Sequence, residues 1–228
     1  MSAPHGHRAL RRRRLIALLG GSFDPIHSGH LAVALAAQRR FHLDTIYFIP
    51  SSRPPHKTKR ELAPFVHRYA MVTLACAGHA GFVPSLAEAP PEGVAHHAFY
   101  SIDTVQRFRR DFPRDHLYFI LGADSFLEIP TWRNYRALLQ ACDFIIASRP
   151  GFRLDALRLV IPSALLGRAP TRDAHAIALR KTLVHMLPTV SSHISSTEIR
   201  QRRKKGQSIH GLVPPLVEEY ILEQALYR

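Results

Sequence analysis

With 228 residues, 46 % of them apolar, the chain is long enough to bury a sizeable core in one α/β domain, with or without a small appendage. No apolar run reaches the ~18 residues of a membrane span, and Leu15–Leu19, the first apolar run, is too short for the apolar part of a secretory signal. The formal charge of +14 invites a nucleic-acid partner, but ten of the cations sit in two acid-free runs, Arg8 with Arg11–Arg14 and Arg200 with Arg202–Lys205, which leaves +4 for everything else. Residues 1–14 therefore read as a disordered basic tail. The charge raises the local concentration of anions such as ATP and mononucleotides, with nucleic-acid binding a nonspecific by-product. Cys76 and Cys142 stand alone in apolar surroundings without Cys-x-x-Cys spacing, the pattern of buried free thiols in a reducing cytoplasm.

In chain order, Leu15–Leu19 predicts a first strand, Gly20–His30 a glycine-rich turn and Leu31–Ala37 a helix. Thr45–Pro50, β-branched and aromatic, predicts a second buried strand, followed by a Pro- and Lys-rich loop over Ser51–Lys59. Helical spacing recurs over Phe65–Ala77, Ser101–Phe112 and Trp132–Gln140. Strands are expected at Phe82–Leu86, Leu117–Leu121 and Asp143–Ala147. Residues 152–190 read as a helical insert or a lid. Beyond them, Ser195 or Ser196 caps a helix over Glu198–Lys205, Gly206 stops it, and Pro214-Pro215 starts a last amphipathic helix over Leu216–Leu226. Alternating strands and helices imply an α/β fold with a doubly wound parallel sheet, Rossmann-like, binding its ligands beyond the carboxyl ends of the strands. Residues 15–228 form its one domain, with 191–228 as a C-terminal helical part.

Chemistry concentrates at three such ends. Gly20 and Gly21 let backbone approach a phosphate, and His27 and His30, three apart at a helix mouth, can face the same phosphate group. Asp24 in this loop reads as a loop-holding residue rather than a metal ligand. His56 and Lys57 follow two stiffening prolines, which favours holding a cation against phosphate. Gly122 and Asp124 close the Leu117–Leu121 strand, where a carboxylate suits two ribose hydroxyls. Trp132, the only tryptophan, offers an aromatic face to an electron-poor ring. Ser195, Ser196, Thr197 and Arg200 combine hydroxyls, free N–H groups and a guanidinium one turn on, a triphosphate clamp. His96, His97, His185 and His193 lack metal-ligand spacing, and no protein-bound metal is expected.

The string Gly20-Gly21-Ser22-Phe23-Asp24-Pro25-Ile26-His27-Ser28-Gly29-His30 resembles the HxGH nucleotidyltransferases. Further blocks follow in that family's order: Pro54-Pro55-His56-Lys57, Leu121–Ser125, Pro130-Thr131-Trp132, Ser148-Arg149-Pro150-Gly151 and Ile194–Arg200. Together they resemble the bacterial nicotinate-nucleotide adenylyltransferase family from about Leu15 to the C-terminus, with Ser22 where many members carry Thr. Residues between Gly151 and Ser191 match poorly. The resemblance implies transfer of the adenylyl group of ATP, accompanied by Mg²⁺, to nicotinate mononucleotide. It implies catalysis by His27, His30 and Arg200, and ATP contacts from Gly20, Gly21, Ser22, Phe23, His56, Lys57, Ser195, Ser196 and Thr197. Mononucleotide contacts are implied for Gly122, Asp124 and Trp132, with Tyr100 and Ser101 reaching the pyridine carboxylate through backbone N–H groups. ATP and nicotinate mononucleotide are then the partners, with no specific nucleic acid and no membrane. The same superfamily contains enzymes for other acceptors, nicotinamide mononucleotide and phosphopantetheine among them. Trp132 and the Pro54–Lys57 loop point away from phosphopantetheine. A basic nucleic-acid-binding module explains the charge but none of the ordered motifs.

Overall fold

Ile16 and Leu18 are buried on one face of the first strand and Ala17 and Leu19 on the other, so strand β1 (Leu15–Gly21) runs through the interior. The computed structural model describes residues 12–52, 62–91, 98–148, 151–167, 171, 173–188 and 194–228. Around β1 stand β2 (Thr45–Pro50), β3 (Phe82–Pro84), β4 (His116–Gly122), β5 (Asp143–Ala147), β6 (Ala176–Ala178) and β7 (Leu183–Leu187), in the order β3-β2-β1-β4-β5-β7-β6. All neighbours are parallel except the β6–β7 pair. The chain winds outward from β1 to β3 and then crosses to β4 on the other side of β1. The order thus reverses between β1 and β4, and a crevice opens beyond their carboxyl ends.

Helices α1 (Ser28–Phe41) and α2 (Phe65–Cys76) bury Leu31, Ala34, Met71 and Val72 against one face of the sheet. The other face is covered by α3 (Ser101–Asp111), α4 (Ala123–Leu127), α5 (Tyr135–Leu138) and α6 (Leu154–Leu159), through Ile102, Val105, Phe126, Leu138 and Leu157. Two last helices, α7 (Ser196–Lys204) and α8 (Pro215–Glu223), return to the first face and join its core with Ile199, Val217 and Ile221. Among the described residues no helix is long and apolar enough to cross a membrane.

The structure corrects four expectations. Residues 152–190 are not a helical insert: besides α6 they supply β6 and β7, which extend the main sheet past β5. The helix expected over Trp132–Gln140 is a 3₁₀ turn at Ile129–Thr131, then an extended Trp132, then the single turn α5, because Asn134 takes φ +51 and breaks the helical run. The third strand ends at Pro84, whereas sequence carried it to Leu86. Arg12 and Arg14, assigned to the basic tail, are held on the sheet: Arg12 pairs with Asp44, and Arg14 donates to Asp115 through its backbone N–H (3.0 Å) and its guanidinium (2.6 and 3.0 Å). Residues 1–11 lie outside the described residues.

The turn before β3 separates two glycine roles. Gly78 and Gly81 both have positive φ (+78° and +82°), but a Cβ at Gly78 meets nothing within 4 Å, whereas one at Gly81 lies 2.7 Å from the carbonyl of Asp44. Gly78→Ala is therefore expected to cost about 1 kcal/mol of left-handed strain, and Gly81→Ala roughly 3 kcal/mol as backbone is forced apart. Urea unfolding of the two variants measures the difference; equal losses would show that the close approach to Asp44 constrains nothing.

Candidate active site

The loop from Gly20 to His27 leaves β1 at the crevice, and its geometry is dictated by one ring. Phe23, buried and at φ +44, packs so closely over Gly21 that a Cβ there would lie 3.2 Å from the ring. The Phe23 ring in turn meets His30 edge-on, with centroids 5.1 Å apart. Gly20 has more room, since its Cβ would make only ordinary contact with Phe119 at 3.7 Å. Across the switch point, a Cβ on Gly122 would meet nothing within 4 Å. The end of β4 is thus open, whereas the end of β1 is covered by the Phe23 ring.

His27 precedes the first turn of α1 and His30 lies within it. Their rings stack at 3.7 Å between centroids, and the His27 backbone N–H donates to His30 Nδ1 at 3.2 Å. His30 Nδ1 is therefore an acceptor, and the ring's proton sits on Nε2. Burial pushes His27 down to about 4, and burial together with the neighbouring His27 holds His30 well below the ordinary histidine range. Both rings are neutral near pH 7, ready to donate N–H groups, and an incoming phosphate would favour their protonation. His27 Nδ1 is buried without a hydrogen-bond partner among the described residues.

Together the two histidines line a cavity of about 350 Å³ with Val33, Gly122, Asp124 and Ser148. The sequence reading assigned no role to Ser148; it follows β5 with a buried hydroxyl that has no hydrogen-bond partner among the described residues. Asp124 opens α4 with an exposed carboxylate. Trp132 is half-buried and edge-on to Phe119 at 6.4 Å. Tyr100 and Ser101, at the start of α3, are tied to the tryptophan's neighbour, because the Arg133 guanidinium lies 4.4 Å from the Tyr100 ring centroid. Neither Trp132, Tyr100 nor Ser101 lines the cavity itself. His56 and Lys57 lie outside the described residues.

The expected triphosphate clamp is bolted to the same loop. Ser195 caps α7, accepting from the Glu198 N–H at 3.2 Å, which settles the choice between the two serines. Ser196 Oγ donates to the Pro25 carbonyl at 2.9 Å. Arg200 donates to the Asp24 carbonyl at 2.5 Å and to Thr197 Oγ1 at 2.9 Å, and lies 3.9 Å from the Asp24 carboxylate. The segment after α7 also reaches the α1 N-terminus, where Ser28 donates to the carbonyls of Leu212 and Gly211.

Two residues at the base of the site, Arg68 and Tyr227, escaped the sequence reading, whereas Asp24 was read there as a loop-holding residue. Asp24, 1 % exposed, accepts from the Ala63 N–H at 3.2 Å and from the Tyr227 hydroxyl at 2.8 Å. Arg68, also 1 % exposed, donates to the carbonyls of Ser22 (2.8 Å), Ser51 (2.7 Å), Ser52 (3.1 Å) and Ala63 (2.9 Å). The available signal for Arg68 was a cation on the apolar face of α2, among Met71, Val72 and Ala75. Tyr227 carried no signal, because its partner is 203 residues away.

The depressed histidines make stability depend on pH. Between pH 6.5 and about 4 the unfolded chain binds a proton at His27 that the folded chain refuses, so stability falls as pH falls through this window. Replacement by a non-titrating side chain, His27→Asn, should flatten that slope by on the order of 2 kcal/mol. Urea midpoints of both proteins from pH 7 to pH 4 provide the check, and parallel curves would place the ring in solvent.

The cytidylyltransferase-like family matches residues 18–202. A relative from Moorella thermoacetica described as "Probable nicotinate-nucleotide adenylyltransferase" is 42 % identical over 214 residues, covering 93 % of this chain and 91 % of its own. One of the same description from Pelobacter propionicus is 42 % identical over 216 residues, covering 93 % and 97 %. The solved structure of Plasmodium falciparum nicotinic acid mononucleotide adenylyltransferase complexed with NaAD shares the fold, with a TM-score of 0.71 at 21 % identity over 94 % of this chain and 98 % of that one. On these matches the chain belongs to the cytidylyltransferase-like family and, within it, to the nicotinate-nucleotide adenylyltransferases.

Proposed function

We propose that this chain transfers the adenylyl group of ATP to nicotinate mononucleotide, giving deamido-NAD and pyrophosphate. The observation that carries the reading is the stacked His27–His30 pair at the switch point, facing one cavity with Asp124 across it. A phosphate-binding half on β1 and a sugar-binding half on β4 then meet over one crevice.

In the reaction an oxygen of the acceptor's 5′-phosphate attacks the α-phosphorus in line. The bond from that phosphorus to the bridging oxygen of the β-phosphate breaks, and pyrophosphate leaves with the electron pair. The acceptor is already ionised, so the chain needs neither a covalent nucleophile nor a strong base, and its work is positioning and charge stabilisation. His27 and His30 donate to phosphate oxygens whose charge grows as the bond breaks. Backbone from Gly20 to Phe23, with His56 and Lys57, seats the triphosphate. Ser195, Ser196, Thr197 and Arg200 close on it from α7. Gly122 and Asp124 take the mononucleotide ribose, and Trp132, with Tyr100 and Ser101, holds the pyridine ring. Arg133, exposed beside Trp132 and lying over Tyr100, adds a cation that favours a ring carboxylate over an amide. Among the described residues no group of three or more His, Cys, Asp and Glu could hold a metal ion. Mg²⁺ would then enter on the ATP phosphates, held by substrate oxygens and water.

Pyrophosphate release, followed with ATP, Mg²⁺ and either pyridine mononucleotide, tests the reading. The acid form should be preferred. His30→Ala should lower kcat by about 10² or more in a folded protein. Trp132→Ala should raise the mononucleotide KM about tenfold with little change for ATP. No release with either acceptor would overturn the proposed reaction, and near-normal turnover in His30→Ala would remove that histidine from the mechanism.

A further inference from the structure

Arg68 reaches no carboxylate in its four hydrogen bonds. All of them end on main-chain carbonyls, and those carbonyls belong to the segments that frame the phosphate site. Ser22 lies in the loop after β1. Ser51 and Ser52 open the segment after β2, in which His56 and Lys57 stand, and Ala63 ends that segment just before α2. One guanidinium therefore holds the departure and the return of the second loop and ties both to the first. Ala63 is gripped twice, its carbonyl by Arg68 and its N–H by Asp24. Asp24 is itself oriented by the Tyr227 hydroxyl, and its carboxylate partly offsets the burial that pulls the Arg68 pKa down.

We propose that Arg68, assisted by Tyr227 through Asp24, is a positioning residue that sets the loop after β1, which leads to His27, against the two ends of the β2–α2 connection, Ser51-Ser52 and Ala63. The geometry suits arginine alone. A guanidinium is a planar fork with five N–H donors fixed in direction, and four acceptors at three places in the chain, Ser22, Ser51-Ser52 and Ala63, can be served only by such a fork. A lysine ammonium keeps the charge but offers three donors from a single atom, so it cannot span them. In-line transfer is sensitive to displacements of an ångström in the groups that seat the triphosphate. Loosening the two loops should thus weaken ATP and slow the chemistry while the mononucleotide side, built on β4 and α3, is spared.

The kinetic part of the test rests on the adenylyl-transfer reading; the binding part does not. In the full-length protein, calorimetry with a non-hydrolysable ATP analogue should show affinity reduced about tenfold in Arg68→Lys, and kcat should fall by about 30-fold. The KM for the mononucleotide should stay within about twofold, a split that general destabilisation would not produce. Tyr227→Phe removes one hydroxyl and keeps the ring, so it serves if Arg68→Lys does not fold; it should move ATP affinity and kcat in the same direction by about threefold. Unchanged ATP affinity and kcat in the folded variants would overturn the proposal alone. Equal changes in KM for both substrates would overturn it as well, and leave Arg68 a purely structural residue. Absence of ATP-analogue binding in the unmodified protein would overturn both this proposal and the adenylyl-transfer reading. Analogue binding with pyridine mononucleotides left unused would sink only the latter.

Discussion

Asp24 is the acceptor around which the phosphate end of the molecule is assembled. Its carboxylate takes the Ala63 N–H and the Tyr227 hydroxyl, and its carbonyl takes the Arg200 guanidinium. These donors come from the end of the β2–α2 connection, from the C-terminus and from α7. A carboxylate this deeply buried is stable only with such partners, and removing one leaves a charge that neither water nor protein satisfies. Assembly of the nucleotide loop is thereby coupled to docking of the C-terminal helices.

Electrostatics at the site follow from the same close packing. His27 and His30 are stacked and pressed against Phe23, an environment that disfavours their charged forms. At neutral pH the two rings therefore are not a pair of imidazolium ions. They present N–H donors whose protonation becomes favourable when phosphate supplies negative charge, which ties charge stabilisation to occupancy. The fixed cation nearest the loop, Arg200, is already oriented by Asp24 and Thr197, so little ordering remains when the triphosphate arrives.

Much of the architecture was legible because β-branched and aromatic runs are hard to place anywhere but in buried strands. Thr45–Pro50 and Asp143–Ala147 fall where periodicity and composition put them, and the helical spacing of Ile102, Val105 and Phe108 marks α3 within a residue. The failures have local physical causes. Ala176–Ala178 is too short and too alanine-rich to announce a strand, and its partner Leu183–Leu187 has a histidine at its centre. Leu183–Leu187 becomes a strand by pairing with the edge of β5, and Ala176–Ala178 by pairing in turn with β7. Asn134 can enter the left-handed region at small cost, and it broke a run that spacing alone would have kept helical.

The candidate site divides along the same line. Gly20, Gly21, His27 and His30 are neighbours in the chain, and a strand–turn–helix imposes their geometry locally, so the residues alone pointed to this loop as the candidate phosphate site. Ser195 as cap and Gly206 as stop are equally local, set by unsatisfied N–H groups at one helix end and by a φ of +66° at the other. Arg68, Tyr227 and Ser148 were decided only by the tertiary structure. Their significance lies in what they touch: four carbonyls at three places in the chain, a carboxylate at the far end of the chain, and a cavity wall. One-dimensional patterns record neighbours within a turn or a strand; they hold no information on which distant carbonyl will need a donor once the sheet has closed over it.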